Sequence, residues 1–400
     1  MRRLYLGKIE RFVIGTEDLR VLSLAIVVFQ SLGIRFFEGQ GWGLSLLLLG
    51  LNGSAILKVR IRDAVFLGCT LVFLLLNWAI NPAFSIMSMG FQYILIVSAY
   101  LLLLKYVEEE DRLERDLYFC FKVFVIHALL GYLLYMIIPS AYSYRIGLNR
   151  SFLGLFFVST SSFAGIVRNT GLFWEPGVYQ LVANLFLFFA IKFKKGLLII
   201  CLGVLAVVVS FSTLGFVVLV FNAIYFLLSR VSLKVKNVFS FFVLGVVLVF
   251  LVGPVLVANV SEKVSDTNSS SLARLRDLMI GFALIQEKPV LGHGKFETDY
   301  LIEKDYVSRI ESQVFSSEYL DIHETMSGGL TNGFFSLFAW YGLPVGVFLF
   351  YSFFKQKIVR GFTFEKIVFV LIPFVSFFSE PITYTPFFFL YPLSFFVFKN

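Results

Sequence analysis

Apolar residues run nearly unbroken through this chain in segments divided by short polar stretches, and the segments have the length of a bilayer crossing. A hydrocarbon core takes about 20 apolar residues per helix, fewer where flanking Lys or Arg side chains snorkel. By that measure twelve spans are predicted, near 19–34, 41–57, 64–80, 89–105, 117–138, 174–191, 196–212, 214–229, 238–260, 331–353, 367–379 and 383–398. The expected fold is an all-α polytopic membrane protein with about 12 transmembrane helices, since backbone polar groups in lipid must be satisfied within each segment. One long stretch, 261–330, is largely polar and breaks the pattern. A shorter one, 139–175, carries an apolar patch from Phe152 to Val158 that is too short to span and suits an interfacial or re-entrant piece.

Composition agrees with the pattern. The 400 residues are 58% hydrophobic and 18% aromatic, with 50 Phe and 15% charge, which excludes an ordinary soluble domain. Charge then assigns sides. The first residues, Lys58 to Arg62, Lys105 to Lys122, Lys192 to Lys195, Arg230 to Lys236, Lys355 to Lys366 and Lys399 hold 23 of the 34 basic residues, all on one side of the expected topology. The short loops of the other side hold Arg35, Arg145, Arg150 and Arg168. By the positive-inside rule both termini are cytoplasmic, in a multi-pass membrane protein whose loops 139–175 and 261–330 lie on the outer side. The net charge of +8 is thereby a topology signal and gives no reason to invoke nucleic acid. The first span shows no small-residue cleavage site and reads as a signal anchor. Cys69, Cys120 and Cys201 all fall inside spans, and His127, His293 and His323 are scattered, so neither a disulfide framework, a metal site nor a cofactor is expected.

Within the long loop, Ser269-Ser270-Ser271 supplies an N-cap and Leu272, Leu275, Leu278, Met279, Phe282, Ala283 and Ile285 recur at helical spacing. Lys288-Pro289 and the glycines of Leu291-Gly292-His293-Gly294 end this helix, which is expected to lie on the outer membrane surface. Arg274 and Arg276 fall on opposite rims of its apolar stripe, about 200° apart at ~100° per residue. They either snorkel or bind an anion.

The sharpest local pattern is Arg168-Asn169-Thr170-Gly171-Leu172-Phe173-Trp174-Glu175-Pro176-Gly177, leading into the sixth span. Pro176 suits the first position of a helix. The helix from there to Lys192 is about 24 Å long at 1.5 Å per residue, shorter than a bilayer core of about 30 Å, so its N-terminus is expected below the outer surface. Unpaired N–H groups there, with Arg168 beside them, make a site for a phosphate-bearing ligand. Glu175 either caps the helix or, in an apolar setting, transfers a proton. Glu380-Pro381 echoes Glu175-Pro176 and is explained as well by a polar turn. His293 reads as a turn residue and His127 as an interhelical donor.

The order of these features resembles bacterial O-antigen and capsule polymerases of the Wzy type, within the wider group that includes the O-antigen ligases. Arg168, Gly171, Phe173, Glu175 and Pro176 match an arginine-glycine-phenylalanine-acid-proline run. Arg274, Pro289, Gly292 and Gly294 match an arginine ahead of a Pro-x-x-Gly-x-Gly, and Thr331-Asn332 with Tyr341-Gly342-Leu343-Pro344-Val345-Gly346 match a polar pair before a Gly-rich helix. Ligases carry a histidine where this chain has Thr331, and tend to carry an arginine where it has Ser212-Thr213-Leu214-Gly215; both departures favour polymerase. The resemblance implies a GT-C-like glycosyltransferase that moves a growing glycan from undecaprenyl diphosphate to a lipid-linked repeat unit at the periplasmic face, alongside membrane lipid and a chain-length regulator as partners. It implies Arg168 and Arg274 on the diphosphate, with Arg276 and Asn332 as further binding residues, and leaves the base open between Glu175 and His323. An O-antigen ligase is the alternative. A flippase of lipid-linked oligosaccharides is the alternative of another class, against which stand the single polar outer loop and the lack of repeated halves.

Overall fold

The structure is a computed structural model that describes residues 16–81, 85–163, 165–230, 270–295, 330, 332–380 and 382–398, with side chains set aside at 16–17, 230, 270–277 and 379. Eleven of the twelve expected spans fall on helices: α1 (Thr16–Leu32), α2 (Gln40–Asn52), α3 (Ile61–Ile80), α4 (Ile86–Leu104), α5 (Glu110–Ile137), α6 (Pro176–Lys192), α7 (Leu197–Val208), α8 (Thr213–Arg230), α10 (Gly333–Phe354), α11 (Thr363–Ser379) and α12 (Pro386–Val397). The twelfth, 238–260, lies outside the described residues. Helix α9 (Ser270–Glu287) is the one expected in the long loop. Among the described residues five helical stretches are long and apolar enough to cross a membrane: Gln40–Lys58, Ile61–Ile80, Ile86–Leu104, Glu110–Ile137 and Gly333–Phe354. Several others are shorter, α7 and α12 having 12 residues each, so a full bilayer crossing by every expected span is not what their lengths show.

Helix α6 is the axis of the bundle. Every residue from Val178 to Ile191 is buried, as a helix apolar on all sides requires. Its few polar side chains bond to its neighbours: Gln180 Nε2 donates to Ser376 Oγ of α11 at 2.9 Å, and Asn222 Nδ2 of α8 donates to Asn184 Oδ1 at 3.0 Å. In a lipid-like interior such bonds fix which helix faces which.

The expectation of an all-α chain needs correction between α5 and α6. There the backbone forms an antiparallel meander of β1 (Tyr144–Ile146), β2 (Asn149–Phe152), β3 (Phe156–Phe163) and β4 (Ile166–Asn169). The apolar patch taken for an interfacial or re-entrant piece is its central hairpin, Phe152 pairing with Phe156. Leu153 and Gly154 both take positive φ, 55° and 67°, at the turn. The sheet lies over the end of α5. Tyr132 Oη donates to the Val167 carbonyl at 2.9 Å, and the His127 ring stacks on Phe156 at 4.9 Å, so that histidine faces the sheet rather than another helix.

At the cation-rich end the charged loops meet one another. Arg20 bonds Glu109, Lys58 pairs with Glu108, Lys192 with Glu114, and Arg360 with Glu110. Groups that charge counting placed on one side of the membrane are therefore gathered at one end of the bundle.

Candidate functional site at the opposite end of the bundle

The run from Arg168 to Gly177 is an extended strap held from three directions. Asn169 gives its N–H to the Val209 carbonyl at 2.9 Å and its side-chain amide to the Ala128 carbonyl of α5 at 3.2 Å. Gly171 stands at φ 54°, and a Cβ there would fall 2.5 Å from that of Ala128, so a larger residue would push the strap off α5. Past it, Ile34 N–H donates to the Leu172 carbonyl, and the Asn149 side chain of β2 donates to the carbonyls of Phe173 and Trp174. Arg168 is thereby set at the turn between α7 and α8, its Nε donating to the Ser210 carbonyl at 3.1 Å. Glu175 occupies the N-cap with extended backbone and Pro176 the first helical position, as the sequence predicts, but the Glu175 side chain makes no capping bond.

A second strap comes from the end of α9. The Pro289 to Gly294 turn and the break in α10 at Gly342, read from sequence as separate motifs, are one packed unit. His293 N–H donates to the Ala339 carbonyl at 2.8 Å, Gly294 N–H to the Trp340 carbonyl at 3.0 Å, and Leu343 N–H to the Pro289 carbonyl at 2.7 Å. Gly292 and Gly342 have φ of 69° and 76°, and a Cβ on Gly292 would lie 2.6 Å from the Gly342 nitrogen. Both glycines are needed because two backbones touch there. Asn81, at the C-cap of α3, donates to the Gly292 carbonyl and accepts from Lys288 Nζ at 2.6 Å, tying the turn to a third helix. His293 is buried in this unit, a turn residue as expected.

Around the link between α11 and α12 three helix N-termini gather. A Cβ on Gly177, in the first turn of α6, would meet Glu380 Oε1 at 2.5 Å, so the buried Glu380 carboxylate rests on that turn. Gly333, opening α10, accepts at its carbonyl from the Thr383 hydroxyl at 2.8 Å and lies against the Glu380 carbonyl. Thr385 caps α12, accepting from Phe388 N–H. Orphan N–H groups and helix dipoles favour negative charge at such a place. Beside it Lys295 Nζ sits over the rings of Trp340 and Tyr384, 5.6 and 5.4 Å from their centroids. Two buried polar atoms in this region, Trp340 Nε1 and Tyr179 Oη, have no hydrogen-bond partner among the described residues. A carboxylate, an ammonium and several helix ends at one rim can orient a hydroxyl and hold an anionic group.

The candidates from sequence fare differently. Arg168 and Glu175 bracket the first strap at this rim. Asn332, expected on substrate, is buried and caps α10, its Oδ1 accepting from Phe335 N–H at 3.1 Å. Arg274 and Arg276 lie on α9, but their side chains are outside the described residues, as is all of His323. In the half of α9 with described side chains, Ile280, Leu284 and Ile285 are buried with Leu330 and Ala339, while Phe282 is 54% exposed. Packing on α10 selects a face rotated from the stripe that spacing alone picks out. Sequence reasoning passed over Lys295, Trp340 and Tyr384, which carry no local motif. It weighed Glu380 as a polar turn, although its Glu-Pro echo of the sixth span was the available signal.

Residues 197–350 match the family model described as O-Antigen ligase. The matched stretch runs from α7 through most of α10 and takes in Arg274, the Pro289–Gly294 turn, Asn332 and Gly342; Arg168, Glu175 and Glu380 stand outside it. No curated protein and no solved structure matches the chain. The match supports a place in the superfamily of O-antigen ligases and polymerases, and does not separate one from the other.

Proposed function

We propose that this protein is a polysaccharide polymerase that transfers a growing glycan from undecaprenyl diphosphate to a repeat unit carried on the same lipid, at the periplasmic face of the inner membrane. The observation that carries the reading is the family match over 197–350 combined with the packing of its Pro289–Gly294 turn against the Gly342 break, next to the rim where Lys295 and Glu380 stand. In the reaction a hydroxyl of the acceptor sugar attacks the anomeric carbon of the donor, the bond to the diphosphate oxygen breaks, and the hydroxyl proton passes to a carboxylate or imidazole, Glu175 or His323. The departing diphosphate takes its charge stabilisation from Arg168 and Arg274, with Arg276 behind them. Asn332 contributes by fixing the start of α10. Glu380 joins the set as the carboxylate seated on α6.

A ligase that moves finished glycan to a lipid A core rests on the same match. Thr331 and the Ser212 to Gly215 segment, where ligases resemble one another in carrying histidine and arginine, favour the polymerase. A strain lacking the protein then shows single-unit decoration; accumulation of long lipid-linked polymer instead identifies a ligase. Complementation of that strain by inserted single variants tests the residues. Arg168→Ala and Arg274→Ala each lower polymer yield by about a hundredfold, and full-length ladders from both would remove the diphosphate site from this rim.

A further inference from the structure

The cation-rich end carries a groove that the transfer reaction does not use. It opens between the start of α3 and the end of α12, has a volume of about 610 Å³, and is lined by Arg62, Lys357, Val65, Phe66, Phe396 and Phe398 among others. Its floor is aromatic, the Phe66 and Phe396 rings stacking at 5.1 Å. Its mouth is cationic. Arg62 donates to the Phe396 carbonyl at 2.7 Å, and Lys357 Nζ donates to the Phe398 carbonyl at 2.9 Å, so both side chains are anchored at the groove rather than trailing in solvent.

We propose that this groove binds an anionic phospholipid, its phosphate between Arg62 and Lys357 and an acyl chain along Val65 and Phe66. Three observations converge on that occupant. The first is charge: the carboxylate beside the mouth, Asp63, is shared between Arg60 Nε at 3.1 Å, the Tyr100 hydroxyl at 2.9 Å and, more loosely, Arg62 Nε at 3.6 Å. Arg60, Arg62 and Lys357 against that one carboxylate leave two positive charges uncompensated within the group. The second is that burial and the neighbouring Arg62 push the Lys357 ammonium below its ordinary range, a strain that an anion seated between the two would relieve. The third is position. Helix α3 is the least buried of the long apolar helices, and Ile61 and Val65 on it are 85% and 58% exposed, so the groove's outer wall belongs to a surface that faces lipid. An arginine fork and an ammonium above an apolar slot suit a phosphodiester with a hydrocarbon tail, and the cytoplasmic leaflet, where the basic loops are expected, supplies anionic headgroups.

Native mass spectrometry of the detergent-purified full chain, titrated with phosphatidylglycerol or phosphatidylcholine, tests this. The wild-type protein is expected to retain phosphatidylglycerol about tenfold more strongly, and Arg62→Gln/Lys357→Gln to lose that preference. A second variant, Val65→Trp, fills the slot while leaving both cations in place; it lowers retention of phosphatidylglycerol in a protein whose thermal midpoint without lipid is unchanged. Arg145→Gln/Arg150→Gln, on the sheet at the other end, keeps the wild-type preference. Equal retention of the two lipids by the wild type, or a preference that survives both the charge-removing and the slot-filling variants, overturns the proposal.

Discussion

The two ends of the bundle are held together by different means. At the cation-rich end, ion pairs do the joining: Lys192 Nζ lies 2.6 Å from Glu114 and 3.7 Å from Glu365, the Tyr225 hydroxyl donates to Glu365 at 2.7 Å, and the Arg360 amide donates to Glu114 at 2.7 Å. Four elements, α5, α6, α8 and α11, are fixed to one another by that cluster. At the other end the joints between elements are backbone touching backbone, with Asn77, Asn81, Asn149 and Asn169 side chains closing the gaps. Charges that satisfy each other hold structure. The end assembled from glycines and amides carries Arg168, Glu175, Lys295 and Glu380 around its rim.

The contrast can be broken first at the amide-built end. Gly342→Ala places a Cβ against the Val290 backbone at a φ of 76°, combining strain with overpacking. It should cost about 4 kcal/mol, seen as loss of the thermal transition in detergent or of membrane insertion. A wild-type midpoint would mean that the two straps are not locked as described.

At the charged end, Lys192→Met leaves the buried Glu114 and Glu365 carboxylates without their shared ammonium and should cost about 3 kcal/mol. Adding Glu114→Gln to that variant should recover part of the loss, because the uncompensated charge is the source of the cost. No recovery would place the effect in packing.

Asn332→Ala sharpens the comparison from the other side. Removing an N-cap costs about 1 kcal/mol, and if the side chain serves only the helix, glycan chain length in complemented cells stays as in wild type. A large fall in polymer yield without loss of stability would assign Asn332 to substrate.

The smallest effect is one of pH. Hydrogen bonds from Arg20 and Arg112 hold the exposed Glu109 carboxylate below the ordinary carboxylate range. A depressed folded value means that its contribution is present above the unfolded pKa and is lost as pH falls through the folded one. The stability gap between wild type and Arg20→Gln is therefore small at neutral pH and closes on acidification, as thermal midpoints in detergent across that range would show.

Much of the fold is legible in the pattern of residues because helices in lipid obey a local rule. Glu175 at an N-cap, Pro176 at the first helical position and Lys192 at the end of α6 were all readable from the seventeen residues of that helix and the one before it. The sheet was not, since its strands are three to eight residues long and their aromatic positions imitate a membrane-facing patch. The rim was half legible: Arg168 and Glu175 announce themselves through a compact motif, whereas Lys295 and Glu380 are distant in sequence from it and from each other.

Hydrophobic length and loop charge, both properties of consecutive residues, determined the helices, their alternation and the gathering of basic loops at one end. Only the tertiary structure decided that Glu380 rests on the first turn of α6, that the Pro289–Gly294 turn closes on the break at Gly342, and that α9 turns Ile280 and Leu284 inward. Those outcomes depend on the close approach of backbones and on which face of a helix meets a neighbour, and neither quantity is encoded within a single segment.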